Sequence, residues 1–239
     1  MTTIHVSGLR KAYGAFDAVH DVTFTAAPGR VVGLLGPNGA GKTTTLHVLL
    51  GLAAPTAGTA TFDGRAFADL AHPARTVGAL LDAGGLHPGR TGRDHLRVLA
   101  SAGRIPARRV DEVLALVGMT PAADRRVRTY SLGMRQRVGI AAALLGDPEV
   151  LVLDEPANGL DPAGMRWLRD LVRAFADDGG TVLLASHVLS EVRQVADDLV
   201  VVGQGRVVAE GPLDELLHGA SLEDFYLDRT ATTEGVRGG

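Results

Sequence analysis

Apolar residues change period along this chain. Near the N-terminus they alternate: Ile4 and Val6 face one way, and after a break Val22, Phe24 and Ala26 oppose Thr23 and Thr25. That is the pattern of half-buried antiparallel strands. Thr59–Phe62, followed by Asp63-Gly64, predicts another strand entering a tight turn. From Leu86 to Arg128 no clear strand is evident. Asp94–Gly103 is helix-like, and Val110, Val113, Leu114 and Val117 mark one apolar helical face before Gly118. Strand and helix then alternate. Val150–Leu153 and Thr181–Ala185 are continuous apolar runs, as expected of parallel strands covered on both faces. Met165, Leu168, Leu171, Val172 and Phe175 give a helix that stops at Gly179-Gly180, and Val188, Leu189, Val192 and Val195 give another. Leu199–Val202 and Val207–Ala209, joined through Gln204-Gly205, predict a closing hairpin. Leu222 and Phe225 anchor a short C-terminal helix, and Thr230–Gly239 reads as disordered. The predicted fold is α/β: a mostly parallel sheet, an antiparallel β subdomain, and a helical subdomain inserted at about 86–135. No internal repeat is found.

One stretch breaks the hydrophobic pattern with glycine. Gly36-Pro37-Asn38-Gly39-Ala40-Gly41-Lys42-Thr43 fits G-x-x-x-x-G-K-[ST], the phosphate-binding loop of nucleoside triphosphatases. Glycines let backbone N–H groups approach phosphate oxygens, and the following helix points its positive N-terminus at the same anion. In that geometry Lys42 reaches the β/γ-phosphates and the Thr43 hydroxyl binds Mg²⁺, with Thr44 next in the loop. The context agrees. Val31-Val32-Gly33-Leu34-Leu35 before the loop reads as a buried strand, Leu46, Leu49 and Leu50 after it sit at helical spacing, and Gly51 is placed to stop that helix. Only Lys11 and Lys42 are lysines among 24 basic residues, which argues against a chance lysine here.

Composition narrows the partners. The 239 residues suffice for a large core and a smaller lobe, and 46% hydrophobic with 21% charged content is ordinary for a globular chain. A formal charge of −3 gives no electrostatic case for nucleic acid or anionic lipid as the main partner. With no cysteine there is neither a disulfide framework nor a thiolate metal site. No apolar run approaches the ~20 residues of a membrane helix, so any membrane role needs a span from another chain. Arg125, Arg126 and Arg128 read as a solvated surface rather than a phosphate patch.

Two further clusters carry chemistry. After the apolar Leu151-Val152-Leu153, Asp154 ends a buried strand beside the phosphate loop, a position suited to Mg²⁺ coordination. Glu155, immediately after it, lies where an attacking water must sit, which suits a general base. Ser186-His187 follows the next parallel strand, so His187 emerges at the same sheet edge and suits phosphate sensing. The other histidines form no H-E-x-x-H or similar pairing. Asp161-Pro162-Ala163-Gly164 matches the D-x-x-G of a GTPase, but no Asn-Lys-x-Asp accompanies it.

Together these motifs resemble a known family. The phosphate loop, Tyr130-Ser131-Leu132-Gly133-Met134 followed by Arg135-Gln136-Arg137, Val150–Pro156, Asn158-Gly159-Leu160-Asp161 and Ser186-His187 occur in the order seen in ATP-binding subunits of ABC transporters. The resemblance covers about Ile4 to Leu217, implying an ABC-type ATP-binding domain at 1–217 and a tail at 218–239. It is strongest to the branch serving bacterial antibiotic, bacteriocin and multidrug export or immunity. It implies ATP and Mg²⁺ as cofactors, a head-to-tail homodimer, and a separately encoded membrane permease at the cytoplasmic face of the membrane. Ser131 and Gly133 would grip the γ-phosphate of the partner's ATP, Tyr13 would stack on adenine, and Asp161 would link the two sites. The segment Leu86–His95 would dock the permease. Two departures stand out. The family's Leu-Ser-Gly-Gly-Gln is Tyr-Ser-Leu-Gly-Met here, and its Mg²⁺-contacting glutamine aligns with Asp82. A soluble family member acting on ribosomes or nucleic acid is the alternative; neither a second cassette nor a long coiled coil accompanies this one.

Overall fold

The computed structural model describes residues 1–81 and 85–234. Among them, nine strands form one sheet in the order β4-β1-β2-β9-β8-β3-β7-β6-β5. The strands are β1 Ile4–Tyr13, β2 Phe16–Ala26, β3 Val31–Leu35, β4 Ala57–Phe62, β5 Val77–Leu80, β6 Val150–Asp154, β7 Thr181–Ser186, β8 Asp198–Gly203 and β9 Arg206–Pro212. β1 pairs antiparallel with both β2 and β4, whereas β3, β5, β6 and β7 run parallel, with β8 parallel to β3. β2 and β9 meet at the register pair Asp21↔Arg206, which joins the antiparallel part to the rest.

The two faces of the parallel strands feed two cores, because successive side chains point to opposite sides. Val31, Leu35, Leu151, Leu153, Val182 and Leu184 pack into one cluster, and Val32, Leu34, Val150, Val152, Leu183 and Ala185 into the other. All of them are buried. Truncating any of the leucines to alanine should cost about 2–5 kcal/mol. This double coverage is why the runs are unbroken by polar residues.

The helices are α1 Lys42–Leu49, α2 Pro73–Thr76, α3 Gly92–Ala102, α4 Arg108–Leu116, α5 Leu132–Leu144, α6 Pro162–Asp177, α7 Leu189–Arg193, α8 Leu213–Leu217 and α9 Leu222–Glu234. α3, α4 and α5 pack on one another, and their buried Leu96, Val110, Val113, Leu114 and Val138 share the first core cluster. Strand β5 escapes the hydrophobic pattern because it is only four residues long, one of them Gly78. A Cβ there would lie 2.0 Å from the Ala143 carbonyl, so glycine is what lets α5 lie directly on the strand. Two other elements differ from expectation. α7 is confined to Leu189–Arg193, since Val188 at its start is extended while Val192 and Val195 still reach the core. α9 runs to Glu234, past Thr230, because buried Leu222 and Phe225 anchor its first turn and extension from an anchored turn is cheap. Arg125, Arg126 and Arg128 are solvent-exposed. No helix among the described residues is long and apolar enough to cross a membrane.

Candidate active site

The turn from β3 into α1 is shaped by two close approaches. A Cβ on Gly36 would lie 2.4 Å from the Val202 carbonyl oxygen, and one on Gly41 would lie 2.6 Å from that of Ala18. Gly41 also has φ 102°, a backbone conformation that side-chain-bearing residues avoid. It precedes α1 with no side-chain cap, so the first N–H groups of α1 have no capping partner from residue 41. Asn38, Gly39, Ala40, Gly41, Lys42, Thr43 and Thr44 line one groove with Phe16, Ala18 and Glu155. Its volume is about 250 Å³.

Lys42 is only 6% exposed, and its ammonium donates to the carbonyls of Gly36 at 2.6 Å and Pro37 at 3.3 Å. Burial holds its pKa below the usual lysine value, against the pull of Glu155 and Asp154. Thr43 donates its hydroxyl hydrogen to Asp154 Oδ2 at 2.7 Å. Burial raises the Asp154 carboxyl above the usual range; the Thr43 bond and Lys42 oppose this and Glu155 adds to it. Asp154 Oδ1 is buried without a hydrogen-bond partner. A buried orphan carboxylate oxygen beside a hydroxyl is an oxygen donor set suited to a hard cation.

Glu155 stands next to this pair with φ 47°, in the left-handed region. Its carboxylate meets His187 Nδ1 at 2.7 Å through Oε1, and Ser186 donates its hydroxyl hydrogen to Oε2 at 3.4 Å. An ionised carboxylate only accepts, so Nδ1 carries the hydrogen in this pair. Strands β6 and β7 are neighbours in the sheet, which is how residues 32 apart in sequence come together. Glu191, on α7, has its carboxyl pKa raised by burial and then by the charge of Glu155.

The remaining candidates lie elsewhere. Ser131 caps α5 by accepting from the Met134 N–H at 3.2 Å, and neither it nor Gly133 lines the groove. Asp161 caps α6, accepting from Gly164 N–H at 2.8 Å. Tyr13 is 50% exposed, and the Lys11 ammonium lies 4.6 Å from its ring centroid. Across the hairpin its partner Phe16, 65% exposed, does line the groove. Sequence reading passed over Phe16; the signal was an aromatic directly opposite Tyr13 in the turn. Asp82 lies outside the described residues.

The model of the ABC transporter family matches residues 19–158, more than half of the chain. The chain belongs to the ABC transporter family. Within it, the chain is 38% identical over 218 residues to the bacitracin transport ATP-binding protein BcrA of Bacillus licheniformis, covering 90% of this chain and 71% of that one. It is 35% identical over 213 residues to the lantibiotic transport ATP-binding protein SrtF of Streptococcus pyogenes, covering 88% and 91%. A solved ATP-binding subunit of an ABC transporter superposes with a TM-score of 0.82 at 30% identity, covering 95% of this chain and 98% of that one. The chain is therefore an ABC ATPase cassette, the ATP-binding subunit of a transporter. Its mixed sheet is that cassette's fold.

Proposed function

We propose that this cassette powers export of an antibiotic, a peptide or a related drug, working as a head-to-tail homodimer on a separately encoded permease. The observation that carries the dimer is the incompleteness of the groove. The phosphate loop, Asp154 and Glu155 converge in one chain, while Ser131 and Gly133, the family's γ-phosphate contacts, do not line their own groove. A second copy turned head to tail supplies them. The antibiotic assignment rests on the bacitracin and lantibiotic transport relatives, and the export direction on the Nod factor export ATP-binding protein I of Ralstonia nicotianae, 39% identical over 233 residues.

In this reading Gly36–Thr44 wrap the triphosphate, with backbone N–H groups from the groove-lining residues 38–44, and Lys42 exchanges loop carbonyls for phosphate oxygens. Thr43 and Asp154 would hold Mg²⁺, with Asp82 as a third candidate ligand; when bound, the ion would supply charge neutralisation to the triphosphate. Glu155 accepts a proton from the attacking water. His187 keeps that carboxylate aimed through Nδ1, and its other ring nitrogen would contact the γ-phosphate only when it also carries a hydrogen. Tyr13 and Phe16 offer a platform for the base, Asp161 sits at the dimer seam, and Leu86–His95, leading into α3, faces the permease, which alone would hold the protein at the cytoplasmic side of the membrane.

The deciding experiment is Glu155→Gln. ATP binding should persist and ATP-driven dimers accumulate, while turnover falls about 10²–10⁴-fold, the span of a lost general base. Undiminished turnover would remove Glu155 from the chemistry. Purification from native membranes should bring down a polytopic permease; recovery of ribosomes or nucleic acid in its place would overturn the transport reading.

A further inference from the structure

The first turn of α5 lies on the loop that carries Glu155. Gln136, 3% exposed, donates from Nε2 to the backbone carbonyl of Glu155 at 3.2 Å. One turn earlier, on the same helix face, the Leu132 side chain covers Gly159: a Cβ built on Gly159 would lie 2.4 Å from Leu132 Cγ and Cδ2. Between them Gly133 meets the Gly159 carbonyl, 2.8 Å from where its own Cβ would be. Three positions of one helix face thus rest on the 155–159 turn.

The Glu155 peptide needs such support. At φ 47° it occupies a region that L-residues leave unless neighbours hold them there. Its N–H donates to the Ala185 carbonyl at 2.9 Å, and its carbonyl accepts from Asn158 N–H at 3.2 Å as well as from Gln136. The first two bonds come from the catalytic edge itself. The third comes from α5, whose N-cap is Ser131.

The geometry points to Gln136 as a positioning residue that sets the Glu155 backbone, and so the aim of its carboxylate, with Leu132 locking the same helix turn to Gly159. This rests on the reading of Glu155 as the base. It gives Leu132, which departs from the family's glycine, a task within its own chain. If Ser131 of α5 meets the γ-phosphate of a partner's nucleotide, the same rigid turn carries that contact to the base of its own site.

The test uses Gln136→Leu, similar in volume and unable to donate; the Glu155 carbonyl keeps its Asn158 partner, so no buried acceptor is stranded. We expect kcat to fall about 10–100-fold with the ATP dissociation constant within about twofold of wild type. Leu132→Ala, at an exposed position that also favours helix, should lower kcat in the same direction without changing ATP affinity. In a Glu155→Gln background, single-turnover rates should show no added loss from Gln136→Leu, because both act through one group. Wild-type kcat in Gln136→Leu, a matching loss of ATP affinity, or fully additive losses would overturn the assignment. Unchanged kcat in Leu132→Ala would overturn the two-point dock. Full activity of Glu155→Gln alone would instead refute the base reading and take this inference with it.

Discussion

The N-termini of α1 and α5 are finished differently. α1 begins after a left-handed glycine with no side-chain cap, and its first residues line the groove. α5 begins after Ser131, whose hydroxyl already accepts from the Met134 N–H, and its start lies outside the groove. Both ends carry the partial positive charge of a helix N-terminus. Only the first is left open to phosphate by its own chain; at the second, any phosphate must share the amides with the serine. This agrees with the proposal that the first end is the primary nucleotide site and that the second completes the site of a partner copy.

The largest effects should separate these two ends. Lys42→Ala should weaken ATP binding by isolated subunits about 10–100-fold, the worth of a charged hydrogen bond to phosphate, measured by fluorescent-nucleotide titration. Ser131→Arg should leave that binding unchanged and abolish ATP-driven dimerisation in size-exclusion chromatography. If Ser131→Arg weakens binding in the monomer, the two ends are not distinct. A smaller effect concerns the base: Tyr13→Ala and Phe16→Ala should each weaken ATP binding up to about tenfold while leaving inorganic tripolyphosphate unaffected. Equal losses for both ligands would show that the aromatics merely support the loop.

Smaller still are two shifts in thermal stability. Burial raises the Asp154 pKa in the folded chain above its unfolded value. The stability linked to that proton is full below the unfolded pKa and is lost as pH rises through the raised value. Above that raised value the buried Asp154 carboxylate is therefore a liability. Asp154→Asn should raise the nucleotide-free Tm by about 2–4 °C, the shift of about 1 kcal/mol in a chain of this size, and the gain should vanish in acid. A gain that persists in acid would point to packing instead of charge. Ser131→Ala, which removes the α5 cap, should lower Tm by about the same 2–4 °C or less. No change would mean that the serine is not the cap's main support.

The two ends also differ in how far the sequence discloses them. The α1 site is local: strand, glycines, lysine and helix follow one another, so spacing alone specifies the geometry. Asp154 and Glu155 were legible as acids at the end of a buried strand. The α5 turn could be placed only by family resemblance, because Ser131 alone is an ordinary helix cap. The Gln136–Glu155 bond joins helix to strand end across 19 residues, and no local pattern announces it. β5 was hidden for a different reason: it is only four residues long, and Gly78, there to admit the α5 backbone, leaves few apolar side chains to mark it. Phe16 was visible as a residue, but its facing the groove depends on the hairpin register with Tyr13.

Glu155 sets a trade-off between durability and turnover. A residue at φ 47° gives up about 1 kcal/mol relative to glycine, which takes that conformation freely. Glu155→Gly would therefore relax the turn and delete the carboxylate in one step. Screens that select this cassette for heat resistance alone should drift toward glycine or asparagine at position 155. If Glu155 is the base as proposed, what they would recover is a sturdier chain that still binds ATP and seldom cleaves it.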